Sequence, residues 1–191
     1  EDDREILVEW DSVRNSVIPI TTYVLEKSFD GATYSRIEQT DNQTFAFTDK
    51  EVYVDDFSYY YRTYAIDECN DTTNFWNFGK TILLNADTSQ DQRPELVWSQ
   101  YDGWTEDISY YAVEIKNPNN TFTELATFYY KDTAFIDLIT DLNQRPDYCY
   151  RIVAYKELID GEPQVVSVSN EDCSPVRSKI YYPNAFTPNN D

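Results

Sequence analysis

The chain contains no histidine in its 191 residues. Ser-His-Asp and Cys-His nucleophile systems, and every His-containing metal site, are therefore excluded. The cysteines Cys69, Cys149 and Cys173 are too few and too scattered for a closed structural zinc site. The 4 glycines are dispersed and build no phosphate-cradling loop. The 35 acidic residues would allow a glycosidase-type carboxylate pair, but nothing in the pattern singles one out. No spaced Asp/Asn run ends in the bidentate Glu of an EF-hand loop. The expectation is a non-enzyme without catalytic residues, metal or cofactor. The aromatics Phe75, Trp76, Trp104, Tyr129 and Tyr130 fall in expected loops or at strand edges. They suit a platform for surface glycans or proteins, or packing between domains and over loop ends.

Against 35 acidic residues stand 15 basic ones, for a net charge of -20. That disfavours nucleic acid, which needs clustered Lys and Arg, and anionic membrane surfaces. Its plain consequence is solubility. No apolar run approaches membrane-spanning length, so membrane insertion is not expected. Met is absent and no signal peptide is present, which implies a processed or excised chain.

The elements that must position these residues follow from an internal repeat. Trp10 recurs as Trp98 and Tyr23 as Tyr111, each 88 positions later. At the same offset Tyr34 becomes Phe122, Ile37 Leu125, Phe47 Phe135 and Asp49 Asp137. After one inserted residue, Tyr59, Tyr61, Arg62 and Ala65 match Tyr148, Tyr150, Arg151 and Ala154. The period is that of one whole sandwich domain. Apolar spacing is two throughout, as in Val8/Trp10 and Tyr59/Tyr61/Thr63/Ala65, and means antiparallel strands with one buried face. Asp30-Gly31, Asn117-Pro118-Asn119-Asn120 and Asp160-Gly161 are turn signals, and no helix is expected. The domains are placed at 1–82, lacking or shortening its first strand, and 83–178, with a boundary segment at 179–191.

With a hairpin centred near Gly161, Cys149 and Cys173 lie 12 positions on either side and face each other. A cross-strand disulfide on the outer face is plausible there and would suit an oxidising compartment. The alternative is two unrelated thiols. Cys69 shares the core-facing parity of Tyr59 and is expected to be a buried free thiol.

These residues resemble the fibronectin type III family. Its Trp on the second strand, Tyr on the third and Tyr-x-aromatic/aliphatic run on the sixth are matched by Trp10, Tyr23 and Tyr59–Ala65. In the second copy they are matched by Trp98, Tyr111 and Tyr148–Ala154. The resemblance implies two tandem immunoglobulin-like β-sandwiches. It places Tyr59 and Tyr148 at the tyrosine corner, whose hydroxyl bonds back to the backbone.

The tail reads Tyr181-Tyr182-Pro183-Asn184-Ala185-Phe186-Thr187-Pro188-Asn189-Asn190-Asp191. Pro183 to Asn189 resemble the start of the gliding-motility-associated C-terminal domain of Bacteroidetes surface proteins, with Asn190 where that family has Gly. Ser167–Cys173, Ala65–Cys69 and Gln100–Trp104 are similar to segments of the same proteins. The resemblance implies export by the type IX secretion machinery, a location at the outer cell surface or outside the cell, and a spacer or adhesin role. The segment from 179 onward would be a linker and the start of the sorting domain, leaving the second sandwich near Ile180. Asp11-Ser12-Val13, Asp71-Thr72-Thr73 and Asp132-Thr133-Ala134 resemble the O-glycosylation tripeptides of these bacteria, with Ser12, Thr72 and Thr133 as acceptors.

Overall fold

The computed structural model describes residues 5–14, 16–74, 77–89, 93–104, 108–129, 131–138, 147–156 and 164–175. The first half contributes β1 (Ile6–Glu9), β2 (Ile20–Ser28), β3 (Ser35–Asp41), β4 (Ala46–Asp49), β5 (Tyr60–Asp67) and β6 (Asn77–Lys80). The second contributes β7 (Leu84–Thr88), β8 (Pro94–Trp98), β9 (Ile108–Lys116), β10 (Phe122–Phe128), β11 (Ala134–Ile136), β12 (Asp147–Lys156), β13 (Val166–Val168) and β14 (Asp172–Pro175).

Each half pairs a small sheet with a larger one. In the first half β1–β4 faces β3–β2–β5–β6. In the second, β11–β8–β7 faces β10–β9–β12, and β13 and β14 both pair with β12. All pairings are antiparallel. The fold is all-β: two tandem immunoglobulin-like sandwiches. In the second, β7 lies beside β8 at the edge of the small sheet; no described strand fills that place beside β1.

The period-two pattern explains the cores. In β8, Pro94, Leu96 and Trp98 are buried while Glu95 and Val97 face out. Pro94 opens the strand, where its missing N–H costs least. Trp10, Tyr23, Leu25, Tyr59, Tyr61 and Ala65 fill the first core. The residues at the same repeat positions, Trp98, Tyr111, Val113, Tyr148, Tyr150 and Ala154, fill the second. Each fully buried aromatic or aliphatic side chain contributes about 2 kcal/mol. Turns fall where expected: Gly31 follows β2 with φ 71, and Asn120 precedes β10 with φ 63. Asp160-Gly161 lies outside the described residues.

The seventh strand of the second sandwich departs from the single hairpin arm expected. Val153 pairs with Val168, but Tyr150 pairs with Asp172. Three steps along β12 therefore match four on its partner. The extra residue is a bulge that splits the arm into β13 and β14 and reverses which side chains face inward. Val166 and Val168 point outward, whereas Asn170, Asp172 and Ser174 turn toward β7. Asn170 accepts from Leu84 N at 2.8 Å and donates to Leu84 O at 3.1 Å. Asp172 accepts from Ala86 N at 2.7 Å, and Ser174 Oγ donates to Asp87 O at 2.7 Å. Side chains thus take the place of a neighbouring strand and close the free edge of β7.

Candidate functional site

The polar groups inside the sandwiches hold the fold. Tyr61 Oη donates to Asp49 at 2.8 Å, and Tyr150 Oη donates to Asp137 at 2.9 Å, at matching repeat positions. Burial pushes the Tyr61 phenol well above its ordinary range, and hydrogen bonding to Asp49 adds to this. Asp137 is raised by burial, against which the Tyr150 hydrogen bond acts. Lys27 joins Asp49 at 2.7 Å. The second copy has no described counterpart of that pair. On the outer faces Arg62 pairs with Glu26 at 2.7 Å over the Tyr34 ring. Arg151 likewise pairs with Glu114 at 2.6 Å over the Phe122 ring. Tyr59 Oη accepts from Tyr53 N at 2.8 Å, which is the tyrosine-corner bond.

Among the described residues, only Cys149, Glu171 and Cys173 cluster in a way that resembles a metal-ligand set. The two sulfurs are bonded to each other, and both Glu171 oxygens accept from Lys116 Nζ at 2.8 Å. These three therefore have no ligand atoms to spare. Glu26, Tyr64, Thr72, Thr73 and Asn74 line a shallow depression open to solvent.

Cys149 and Cys173 oppose each other directly in the β12–β14 ladder and form a disulfide, with Cα atoms 3.9 Å apart. This is closer than the range of about 4.4–6.8 Å common for disulfides. Cys69 is free but exposed, which corrects the expectation of a buried thiol. β5 ends at Asp67, and the turn that follows carries Cys69 out of the strand's alternation. Asp67 Oδ1 accepts from Cys69 N and Asp71 N, both at 2.9 Å, and fixes that turn.

The junction between the sandwiches is built largely from backbone. Lys80 N donates to Asp102 O at 2.6 Å, and the two residues form an isolated antiparallel bridge. Gly103 lies so close to β6 that a Cβ there would sit 2.6 Å from Gly79 Cα and 2.7 Å from Phe78 O. Within the second module, Ser99 N donates to Leu83 O and Leu83 N to Ser99 Oγ, both at 2.9 Å, extending the β7–β8 ladder up to the junction. Ser58 Oγ lies 3.4 Å from Ser99 Oγ, and Asn170 Nδ2 lies 3.5 Å from Asp55 Oδ1.

Trp104 belongs to this junction loop. Its ring lies 4.4 Å from that of Tyr101 and packs on the second core, so it is half-buried rather than displayed. Tyr129, just beyond β10, is 79% exposed. Tyr130, Phe75, Trp76 and the tail motif Pro183–Asn189 lie outside the described residues. Ser12 and Thr72 are exposed and Thr133 is half-buried.

Two features were missed in the sequence. One is the stacked pair Tyr110–Tyr155, with centroids 4.6 Å apart on facing positions of β9 and β12. Both residues were visible in alternating strands, but their pairing needed the register. The other is the Gly79–Gly103 approach. Its signal was that half of the 4 glycines lie at this junction.

No protein-family model matches the chain, and no curated protein matches it. Among solved structures it is similar to the crystal structure of the chicken CNTN1 FN1–FN3 domains. That likeness has a TM-score of 0.36 and 10% sequence identity, over 91% of this chain and 62% of that one. The chain thus spans less than two thirds of that structure. The fold assignment rests on the sheet order and on the repeated cores.

Proposed function

We propose that this chain is a non-catalytic spacer segment of a larger secreted surface protein, exported by the type IX secretion system. In this reading residues 1–82 and 83–178 are two sandwich modules, with Ile82 already packed in the second core. Residues 179–191 lead into a sorting domain. The single observation that carries the export reading is the string Pro183 to Asn189 and its resemblance to the start of that sorting domain. The disulfide supports an oxidising, extracellular compartment. Among the described residues no helix is long and apolar enough to cross a membrane. The backbone-built junction supports a mechanical role, because it restrains swivelling between the modules.

Export is tested by expressing two forms in a gliding bacterium that has the secretion machinery. The chain joined to its native downstream domain is expected at the cell surface or in the medium. The chain ending at Lys179 is expected to stay in the periplasm, with both sandwiches folded. Unimpaired export of the shorter form would overturn the reading.

A carbohydrate-binding module is the second reading, favoured by the exposure of Tyr129. A glycan array separates the two: specific binding lost in Tyr129→Ala would favour it over a pure spacer. A spacer attached to a secreted enzyme remains compatible with the first reading.

A further inference from the structure

The hydrogen bonds that join β7 to β14, and to Asn170 just before it, step along both segments in the same direction. Leu84 binds Asn170, Ala86 binds Asp172 and Asp87 binds Ser174. Thr88 Oγ1 closes the series by donating to Pro175 O at 2.7 Å. Residue numbers rise together on the two sides, so β7 and β14 run parallel. They are the first and last described strands of the second sandwich. Asn170 and Ser174 are buried, which shields these bonds from competing water.

This arrangement fixes how the sandwich meets tension. A pull along the chain draws β7 backward from Leu84 and β14 forward from Pro175. Because the strands are parallel, those pulls slide one past the other. Every bond of the series is then loaded at once, whereas strands pulled apart from adjacent ends lose their bonds one at a time. The disulfide closes the other way out. Cys173 stands two residues before Pro175 and ties β14 to Cys149 of β12, so β14 cannot peel from the larger sheet. The first sandwich is built differently. There β1 pairs with β4 and β6 with β5, and among the described residues no hydrogen bond joins β1 to β6.

We infer that β7 and β14 form a shear clamp that makes the second sandwich the force-bearing module of the chain. The inference deepens the spacer reading and rests on the part of it in which the chain carries tension. It does not depend on the route of export. The backbone bond between Lys80 and Asp102 stands alone and gives way early, after which tension enters at Leu84.

The test is single-molecule stretching of the full chain, tethered through its two termini, before and after reduction by a dithiol. Two unfolding steps are expected, one for each sandwich. Reduction releases the loop closed by the disulfide, whose sequence separation is 24, so the step that lengthens by roughly 80 Å belongs to the second sandwich. In the oxidised chain that step is expected to come last. Thr88→Val and Ser174→Ala together remove two bonds of the clamp and leave the backbone as it is. The pair is expected to shorten the second sandwich's lifetime at fixed force about tenfold. Val113→Ala, a core change on β9 outside the clamp, is expected to cost at least as much stability in urea and to shorten that lifetime less. The inference is overturned if the second sandwich yields first, or if the double variant leaves its lifetime unchanged. Lifetimes that simply follow urea stability across the three proteins would overturn it too. Export of the chain ending at Lys179 leaves all of these outcomes as they are, so the clamp and the export reading fail separately.

Discussion

Asp49 and Asp137 occupy one repeat position, and each accepts from a tyrosine at one repeat position, Tyr61 and Tyr150. Their surroundings differ. Asp49 also binds the mostly buried Lys27. Asp49→Asn leaves that ammonium without its counter-charge and is expected to cost about 2 kcal/mol in chemical denaturation. Asp137 is raised by burial. Its folded form holds the proton more tightly than the unfolded chain does, so this contribution to stability is present below the ordinary value of 3.8. It is lost as pH rises through the folded pKa. Asp137→Asn keeps an acceptor for Tyr150 and removes the charge. It is expected to be at least as stable at neutral pH and to flatten that part of the pH profile. The phenols give the same sign at the alkaline end. Tyr61, Tyr101 and Tyr111 are all raised, chiefly by burial. Their contribution to stability is full below 10 and falls as pH climbs beyond it, because only the unfolded chain then ionises them freely. Tyrosinate absorbance is expected to rise together with loss of the folded signal.

At the scale of the element, the split final strand joins three jobs. β14 carries Cys173 outward to Cys149 and sends Asp172 and Ser174 inward to β7, as does Asn170 just before it, while β13 presents its edge. The disulfide closes a loop with a sequence separation of 24. Replacing both cysteines by Ser is expected to lower unfolding stability by about 3 kcal/mol in urea. Asn170→Ala orphans the N–H and C=O of Leu84, both inside the second core's margin. A loss of about 2 kcal/mol is expected, with hydrogen exchange quickening first along β7.

For the whole molecule, the junction decides whether two sandwiches act as one rod. Gly103→Val would force its side chain into Gly79 and the Phe78 carbonyl. Because the clash is with backbone, the neighbouring sandwich must move. Small-angle scattering is expected to show a broader range of inter-module distances, while each module keeps its own unfolding transition. Gly79→Ala is the control. Its Cβ would meet only Tyr101 Oη at 3.5 Å, an ordinary contact, so the junction is expected to hold.

The bulge between β13 and β14 decides that Cys149 faces Cys173; the sequence by itself determined the all-β class and the doubled core. Each follows from local alternation or from the repeat: a period of two states which face is buried, and two copies state it twice. Trp10 and Trp98 are therefore legible as core, and so are Tyr61 and Tyr150. Cys69 was misjudged because alternation ends where the strand ends, and one turn can carry a residue from the core to solvent. The Tyr110–Tyr155 stack, the Gly79–Gly103 approach and the outward groups of β13 were decided only by tertiary structure. Each depends on register between segments far apart in the chain. A one-residue bulge, invisible in composition, changes which face every later side chain takes.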